Sequence, residues 1–220
     1  AVGVLTNRNK IILDHHGVTS APFIVIPSGQ LSIHAAPPPK LPLFVKPVTE
    51  GSSKGIDKYN KANSHAELEM AVEKVKARFP GQDILVESFL AGREFTVSIL
   101  GTGSRGQVIG VREHLWQKSS ESGRQATEEF ASWRSKLSEG CSLRYSDVHD
   151  VQDPQINAAC RVAKDAWAAL GCRDAGRVDI RFDSDDGDGV PNVLEVSYRL
   201  PVPNPSPSPL ATNRNLEPSR

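Results

Sequence analysis

The sequence predicts an α+β fold, on three observations. Segments whose apolar residues alternate outnumber segments with helical spacing, the two kinds are interleaved along the chain, and glycine or proline closes most of them. With 220 residues the chain is long enough for one large domain or two small ones around a substantial core.

From Thr6 to His16 the apolar Ile11, Ile12 and Leu13 sit among polar residues and Gly17 follows as a C-cap, which predicts a short helix. PFIVI at 22–26 reads as a strand, and SGQLSIHAAPPPKLP reads as a loop. LFVK at 43–46 is a short apolar run entering the Gly/Ser turn VTEGSSKG. Ser64 and Glu67 form a capping box ahead of Leu68, Val72, Val75 and Phe79 at helical spacing, until Pro80-Gly81 stops the helix. DILVESF has the composition of a buried strand. EFTVSIL alternates, with Phe95, Val97 and Ile99 on one face, and VIGV at 108–111 is a partner for it. Residues 117–150 are polar and weakly patterned, long enough to suggest a mobile functional loop. Asp153-Pro154 opens a second helix whose buried side is Ala159, Val162, Ala163, Ala166, Trp167 and Leu170, and Gly171 closes it. RVDIRF and VPNVLEV are alternating strands joined by the turn-rich DSDDGDG, a hairpin. The Pro/Ser-rich residues 201–220 are expected to be a disordered tail.

Lys+Arg and Asp+Glu both number 26 and are spread along the chain, so nucleic acid is not implied as a partner. No apolar run reaches the length of a membrane span, and AVGVLTNRNK has no signal-peptide apolar region. Cys141, Cys160 and Cys172 fit neither a CxxC pair nor a disulfide framework, which favours a reducing, cytoplasmic setting. The chain starts without methionine and reads as a fragment.

Two places could carry chemistry. In RVDIRF the period of two puts Val178, Ile180 and Phe182 on one face and Arg177, Asp179 and Arg181 on the other. Across the hairpin Val193, Glu195 and Ser197 are expected to share a face, with Glu195 in reach of Asp179; paired carboxylates of this kind suit magnesium. The bland alternative is a solvated hairpin with surface ion pairs. In VKPVTEGSSKG, backbone N–H groups of the turn could cradle phosphate oxygens while Lys46 supplies positive charge, although no GxxxxGK[ST] string is present and a plain surface turn reads the same way.

Taken in order, KPxxxGSSxG after a strand, a capped helix, VExFxxGxEFTVxxL, then GRVDxxxD and LEV resemble the ATP-grasp domain of D-alanine–D-alanine ligases over most of residues 1–197. The resemblance implies an ATP-grasp fold across 1–200, with one subdomain around 22–90 and another around 91–200. It implies that Lys46 contacts the ATP phosphates, that Gly51, Ser52, Ser53 and Gly55 form the loop closing over them, and that Glu87, Ser88, Phe89 and Leu90 are the hinge receiving the adenine. By the same resemblance Glu94 holds the ribose hydroxyls, Arg177 meets the tetrahedral oxyanion, Lys136 reaches the γ-phosphate, and Asp179, Glu195 and Ser197 are metal ligands. The implied cofactors are ATP and Mg2+, or Mn2+ in its place. The implied partners are small amino-acid substrates, with no nucleic acid or membrane, and a homodimer. In that chemistry ATP phosphorylates the carboxylate of one amino acid, and the amine of a second attacks the acyl phosphate.

The departures are specific. Ser197 stands for the family's asparagine, YRLPVPNPSPSP replaces its substrate-binding turn, Leu137 replaces a tyrosine, and a family lysine near the domain start falls at Thr6, with Arg8 and Lys10 close by. The family's N-terminal domain has no counterpart in these residues. Glu-Val-Ser at 195–197 can be encoded as a consensus-like splice donor, so the residues after Glu195 read as translated intron. A catalytically incomplete, nucleotide-binding remnant is therefore the second functional reading. A third, a calcium-binding loop, rests on Ser184, Asp186, Asp188, Gly189 and Glu195 at EF-hand spacing, and requires helices on both sides.

Overall fold

The computed structural model describes residues 7–30, 38–49, 56–116, 143–148 and 152–198. Among them the chain forms three α-helices and nine strands in two antiparallel sheets. The smaller sheet has the order β1-β4-β2-β3, built from β1 (Phe23–Ile26), β2 (Leu43–Pro47), β3 (Lys61–Ala62) and β4 (Ile84–Ser88). The larger has the order β7-β6-β5-β8-β9, from β5 (Glu94–Leu100), β6 (Gln107–Trp116), β7 (Leu143–Val148), β8 (Ala175–Phe182) and β9 (Pro191–Tyr198). The α+β reading of the sequence stands.

Each sheet is covered on one face by a helix that the sequence marks clearly. α2 (His65–Arg78) lays Leu68, Ala71, Val72 and Val75 on Leu43, Val45, Ile84 and Val86 of the small sheet. Its Ser64 cap accepts from the Glu67 N–H at 3.2 Å, but Glu67 turns to the Asn63 N–H at 2.7 Å, so the predicted reciprocal box is displaced by one residue. α3 (Pro154–Ala169) starts at Asp153, whose carboxylate accepts from Gln155 N–H, and buries Ile156, Ala159, Ala163, Ala166 and Trp167 against Phe95, Val97, Ile99, Val178 and Ile180.

α1 (Asn7–His15) connects the two layers. Leu13 joins the core of the large sheet, and Thr19 and Ser20 run beside β9 before the chain enters β1 of the small sheet. The second crossing is residues 88–92. Ser88 and Phe89 donate backbone bonds to Pro22 and Pro42, then Ala91 and Gly92 donate to Asp183 and Phe182 at the end of β8. A Cβ on Gly92 would lie 2.1 Å from the Ser184 carbonyl oxygen, so only glycine permits this approach.

Three sequence readings are corrected. β7 lies inside the stretch expected to be a loop; LRYSDV does not alternate cleanly, and its strand is imposed by pairing with β6. Val193 does not share a face with Glu195: the β8–β9 register shifts between Asp179 and Ile180, leaving Leu194 as an extra residue, so Val193 and Val196 both enter the core while Glu195 is only partly buried. The calcium-loop reading fails because Ser184 to Glu195 runs from the end of β8 into β9, not between helices. Residues 201–220 lie outside the described residues.

Trp167 shows how tightly the α3 layer is seated. It is fully buried, donates from Nε1 to the Gly101 carbonyl at 3.0 Å, and leaves no room at Gly176, where a Cβ would lie 2.3 Å from the Ser197 carbonyl and 2.8 Å from the indole. Gly176→Ala is expected to lower stability by about 1–3 kcal/mol, measured by urea denaturation, because β9 or Trp167 must move.

Candidate functional site

The outward face of the small sheet is not polar in the ordinary sense. Direct antiparallel partners share a face, so Phe44 and Lys46 on β2 lie beside Glu87 and Leu85 on β4, opposite the side that packs on α2. Glu87 is 4% exposed and its carboxylate is shared: Oε1 lies 2.5 Å from Lys46 Nζ and Oε2 lies 2.9 Å from Lys10 Nζ. Burial would raise the Glu87 carboxyl, but Lys46 and Lys10 outweigh it and hold it at about 2. Lys10 is 1% exposed, also donates to the Ala21 carbonyl at 2.9 Å and sits over the Phe23 ring. Burial lowers its pKa, and Glu87 offsets that only in part.

A second constellation occupies the face of the large sheet that α3 leaves open. The period of two sends Glu94, Thr96 and Ser98 of β5 to that face, while Phe95, Val97 and Ile99 fill the core. Register then places Glu94 beside Arg181 and His114, Thr96 beside Asp179, and Asp179 beside Glu195. Arg181 Nη1 is 3.2 Å from Glu94 Oε2, and His114 Nδ1 is 3.3 Å from Glu94 Oε1. The Thr96 hydroxyl donates to Asp179 Oδ1 at 2.8 Å and meets His114 Nε2 at 2.9 Å. With its single proton committed to Asp179, Thr96 accepts from the imidazole.

Asp179 has its pKa pushed up to about 6. Burial is the largest cause; Arg177 and the Thr96 hydrogen bond oppose it, and the Glu195 and Glu94 carboxylates push the same way as burial. Arg177 Nη2 lies 3.5 Å from Asp179 Oδ2 with its own side chain half exposed, and the Ser197 hydroxyl donates to Glu195 Oε1 at 3.1 Å. The solvated-hairpin reading is overturned for this face, since Asp179 and Arg181 are 9% and 5% exposed. The donor set fits a hard divalent cation: two carboxylates opposite one another, a hydroxyl beside them, and an ionisation that extra positive charge would relieve. Among the described residues no three His, Cys, Asp or Glu side chains converge as a complete metal cage.

Phe89 joins the two constellations. Its ring is 4.2 Å from Lys61 Nζ and 5.2 Å from the Arg181 guanidinium, next to the 88–92 crossing. The sequence-predicted residues Lys46, Glu87, Ser88, Phe89, Leu90, Glu94, Arg177, Asp179, Glu195 and Ser197 therefore lie on two sheet faces and the crossing between them. Gly51, Ser52, Ser53, Gly55 and Lys136 lie outside the described residues, as does Thr6. Sequence reasoning assigned no role to Thr96 or His114; it placed Arg181 on the face of Arg177 and Asp179 without a role, and named Lys10 only as lying close to Thr6, where a family lysine falls. The alternation of β5 and β8 carries a signal for Thr96 and Arg181; only strand register brings in His114, and only the path of α1 brings in Lys10.

The family model described as D-ala D-ala ligase C-terminus matches residues 12–196. The D-alanine–D-alanine ligase of Rhizorhabdus wittichii is 30% identical over 185 residues, covering 83% of this chain and 53% of that protein. A solved D-alanine–D-alanine ligase from Bacillus anthracis complexed with ATP matches 88% of this chain and 54% of its own, with a TM-score of 0.60 at 18% identity. An L-amino acid ligase from Bacillus licheniformis matches 88% of this chain and 40% of its own, with a TM-score of 0.58 at 22% identity. These structures share the fold, and the chain spans about half the length of the curated relative it matches.

Asp179 generates a pH prediction. Its folded pKa of about 6 exceeds its ordinary value of 3.8, so between them the folded chain holds a proton that the unfolded chain releases, and stability falls as pH rises across that window. Asp179→Asn should therefore gain on the order of 1–3 kcal/mol over the parent above pH 6 in buffer containing EDTA, with the gain vanishing below about pH 4, in urea titrations at each pH.

Proposed function

We propose a nucleotide-driven ligation chemistry for this chain from one premise: it belongs to the D-ala D-ala ligase C-terminal family and has its ATP-grasp fold. The reaction is ATP-dependent joining of the carboxylate of one amino acid to the amine of another, with D-alanine as the substrate proposed from the family. The observation that carries this reading is the meeting of a surplus-cation face, around Lys46, with a carboxylate face, around Asp179 and Glu195, at the Phe89 crossing.

When bound, ATP supplies the transferable phosphoryl group and Mg2+ offsets the charge on its oxygens. The chain's residues divide the rest of the work. Lys46 holds phosphate oxygens, and Glu94, a pure acceptor fixed by Arg181, takes the ribose hydroxyls. Glu87 has its carboxylate committed to lysines, so the adenine edge falls to the backbone at Ser88–Leu90, with Phe89 and Leu90 as the apolar wall. Asp179 and Glu195 would hold the cation, with Ser197 beside them, and Mn2+ is accepted by the same oxygens. Arg177, half exposed on the same face, meets the oxyanion as it forms. The glycines and serines at 51–55 and Lys136 complete the phosphate cover in this proposal.

The proposed ATP-grasp unit runs over 1–200, as one subdomain around 22–90 and another around 91–200, with residues 88–92 as the link. A cytoplasmic homodimer acting on small molecules belongs to the same proposal; among the described residues no helix is long and apolar enough to cross a membrane.

Titration calorimetry should record ATP binding that depends on Mg2+, and phosphate should be released on adding D-alanine. Lys46→Ala should weaken ATP at least about tenfold. Binding without phosphate release would identify the nucleotide-binding remnant, the reading suggested by Ser197 in place of the asparagine that the sequence resemblance leads one to expect; absence of ATP binding defeats both readings.

A further inference from the structure

Lys10 is buried, and its Nζ stands at ion-pair distance from the Glu87 carboxylate with almost no exposure to solvent. At 1% exposure its ammonium is enclosed by the Ala21 carbonyl, the Glu87 carboxylate and the Phe23 ring. Lys46, by contrast, retains 19% of its side-chain exposure. Two ammonium groups on one buried carboxylate leave a positive surplus, and a surplus charge of low exposure is costly unless an anion arrives to meet it.

We propose that Lys10 is a positioning residue for the phosphate end of the site: it neutralises Glu87, so that Lys46 keeps its charge for an anion while Glu87 still fixes where that ammonium sits. This rests on the ATP-binding reading above. Without Lys10 the Glu87 carboxylate cancels Lys46, and the same geometry presents no net charge to a phosphate. Lys10 is delivered from α1, whose Leu13 is anchored in the core of the large sheet, so the small-sheet phosphate site is completed by a residue held from the other layer.

The test uses ATP and adenosine as separate probes with Mg2+ present, read by calorimetry on the full chain. Lys10→Met should weaken ATP about tenfold and leave adenosine unchanged, because adenosine has no phosphate. The double variant Lys10→Met/Glu87→Gln removes the opposed pair together and should regain ATP affinity to within about threefold of the parent. Equal weakening of ATP and adenosine, or a double variant as weak as Lys10→Met, reduces Lys10 to a packing role and overturns the inference.

Should Lys10→Met not fold, the pH profile decides. The charged groups facing Lys10 are Glu87 from β4 and Lys46 from β2. Parent ATP affinity should fall with rising alkaline pH more steeply than that of the double variant, and parallel profiles overturn the proposal. A parent that binds adenosine and not ATP, or neither, fails at the earlier step and rejects the ATP reading itself.

Discussion

The carboxylate of Glu87 is the constraint from which the site is built. Buried charge is tolerated only where counter-charge and hydrogen bonds surround it, and Glu87 meets that condition by drawing Lys46 from the neighbouring strand and Lys10 from α1. The requirement is structural in origin. Lys10 reaches Glu87 from α1, and α1 is anchored by Leu13, which is buried with Phe95, Ile180 and Trp167. One ionic cluster thus makes the position of the small sheet depend on the core of the large one.

The large sheet solves a different problem with the same economy. Antiparallel strands covered on one side by a helix leave their other face available, and period-two alternation then decides which side chains appear there. On β5 and β8 these are Glu94, Thr96, Arg177, Asp179 and Arg181, while the residues between them fill the core under α3. The extra residue at Leu194 would break this correspondence on β9; the bulge absorbs it and leaves Asp179 opposite Glu195. Thr96 and His114 then link Asp179 to Glu94, so that carboxylates with different partners on one face are held in fixed relation.

What the sequence made legible follows from how locally each feature is encoded. α2 and α3 carry their caps and apolar stripes within themselves, and β5 and β8 display their alternation, so element, face and candidate residue could be read together. Asp179 and Glu195 were paired correctly because a hairpin ties them through a short turn. Val193 was assigned to the wrong face because a bulge is a property of two strands, not of either sequence alone. β7 went unread because its strand state is borrowed from β6. The contacts of Lys10 with Glu87 and of His114 with Glu94 were not foreseen for the same reason: 77 residues separate Lys10 from Glu87, and 20 separate His114 from Glu94, so no local pattern relates them. The reading of Glu87 as the first residue of the hinge did not foresee that its carboxylate meets two lysines, because those contacts are made by tertiary packing.

The division of charge between the two faces constrains the ligand more than any single residue does. The small-sheet face sets Lys10, Lys46 and Lys61 against Glu87, whereas the large-sheet face sets Glu94, Asp147, Asp179 and Glu195 against Arg112, Arg177 and Arg181. A simple anion would be attracted by the first and repelled by the second; a simple cation would meet the reverse. The proposed polyphosphate carrying a divalent cation would meet both, its oxygens toward Lys46 and its metal toward Asp179 and Glu195. The raised pKa of Asp179 belongs to the same logic, because a carboxylate crowded by Glu195 and Glu94 ionises most readily once positive charge is placed beside it. The two halves of the candidate site therefore carry charge excesses of opposite sign, which is the arrangement the proposed metal–nucleotide ligand requires.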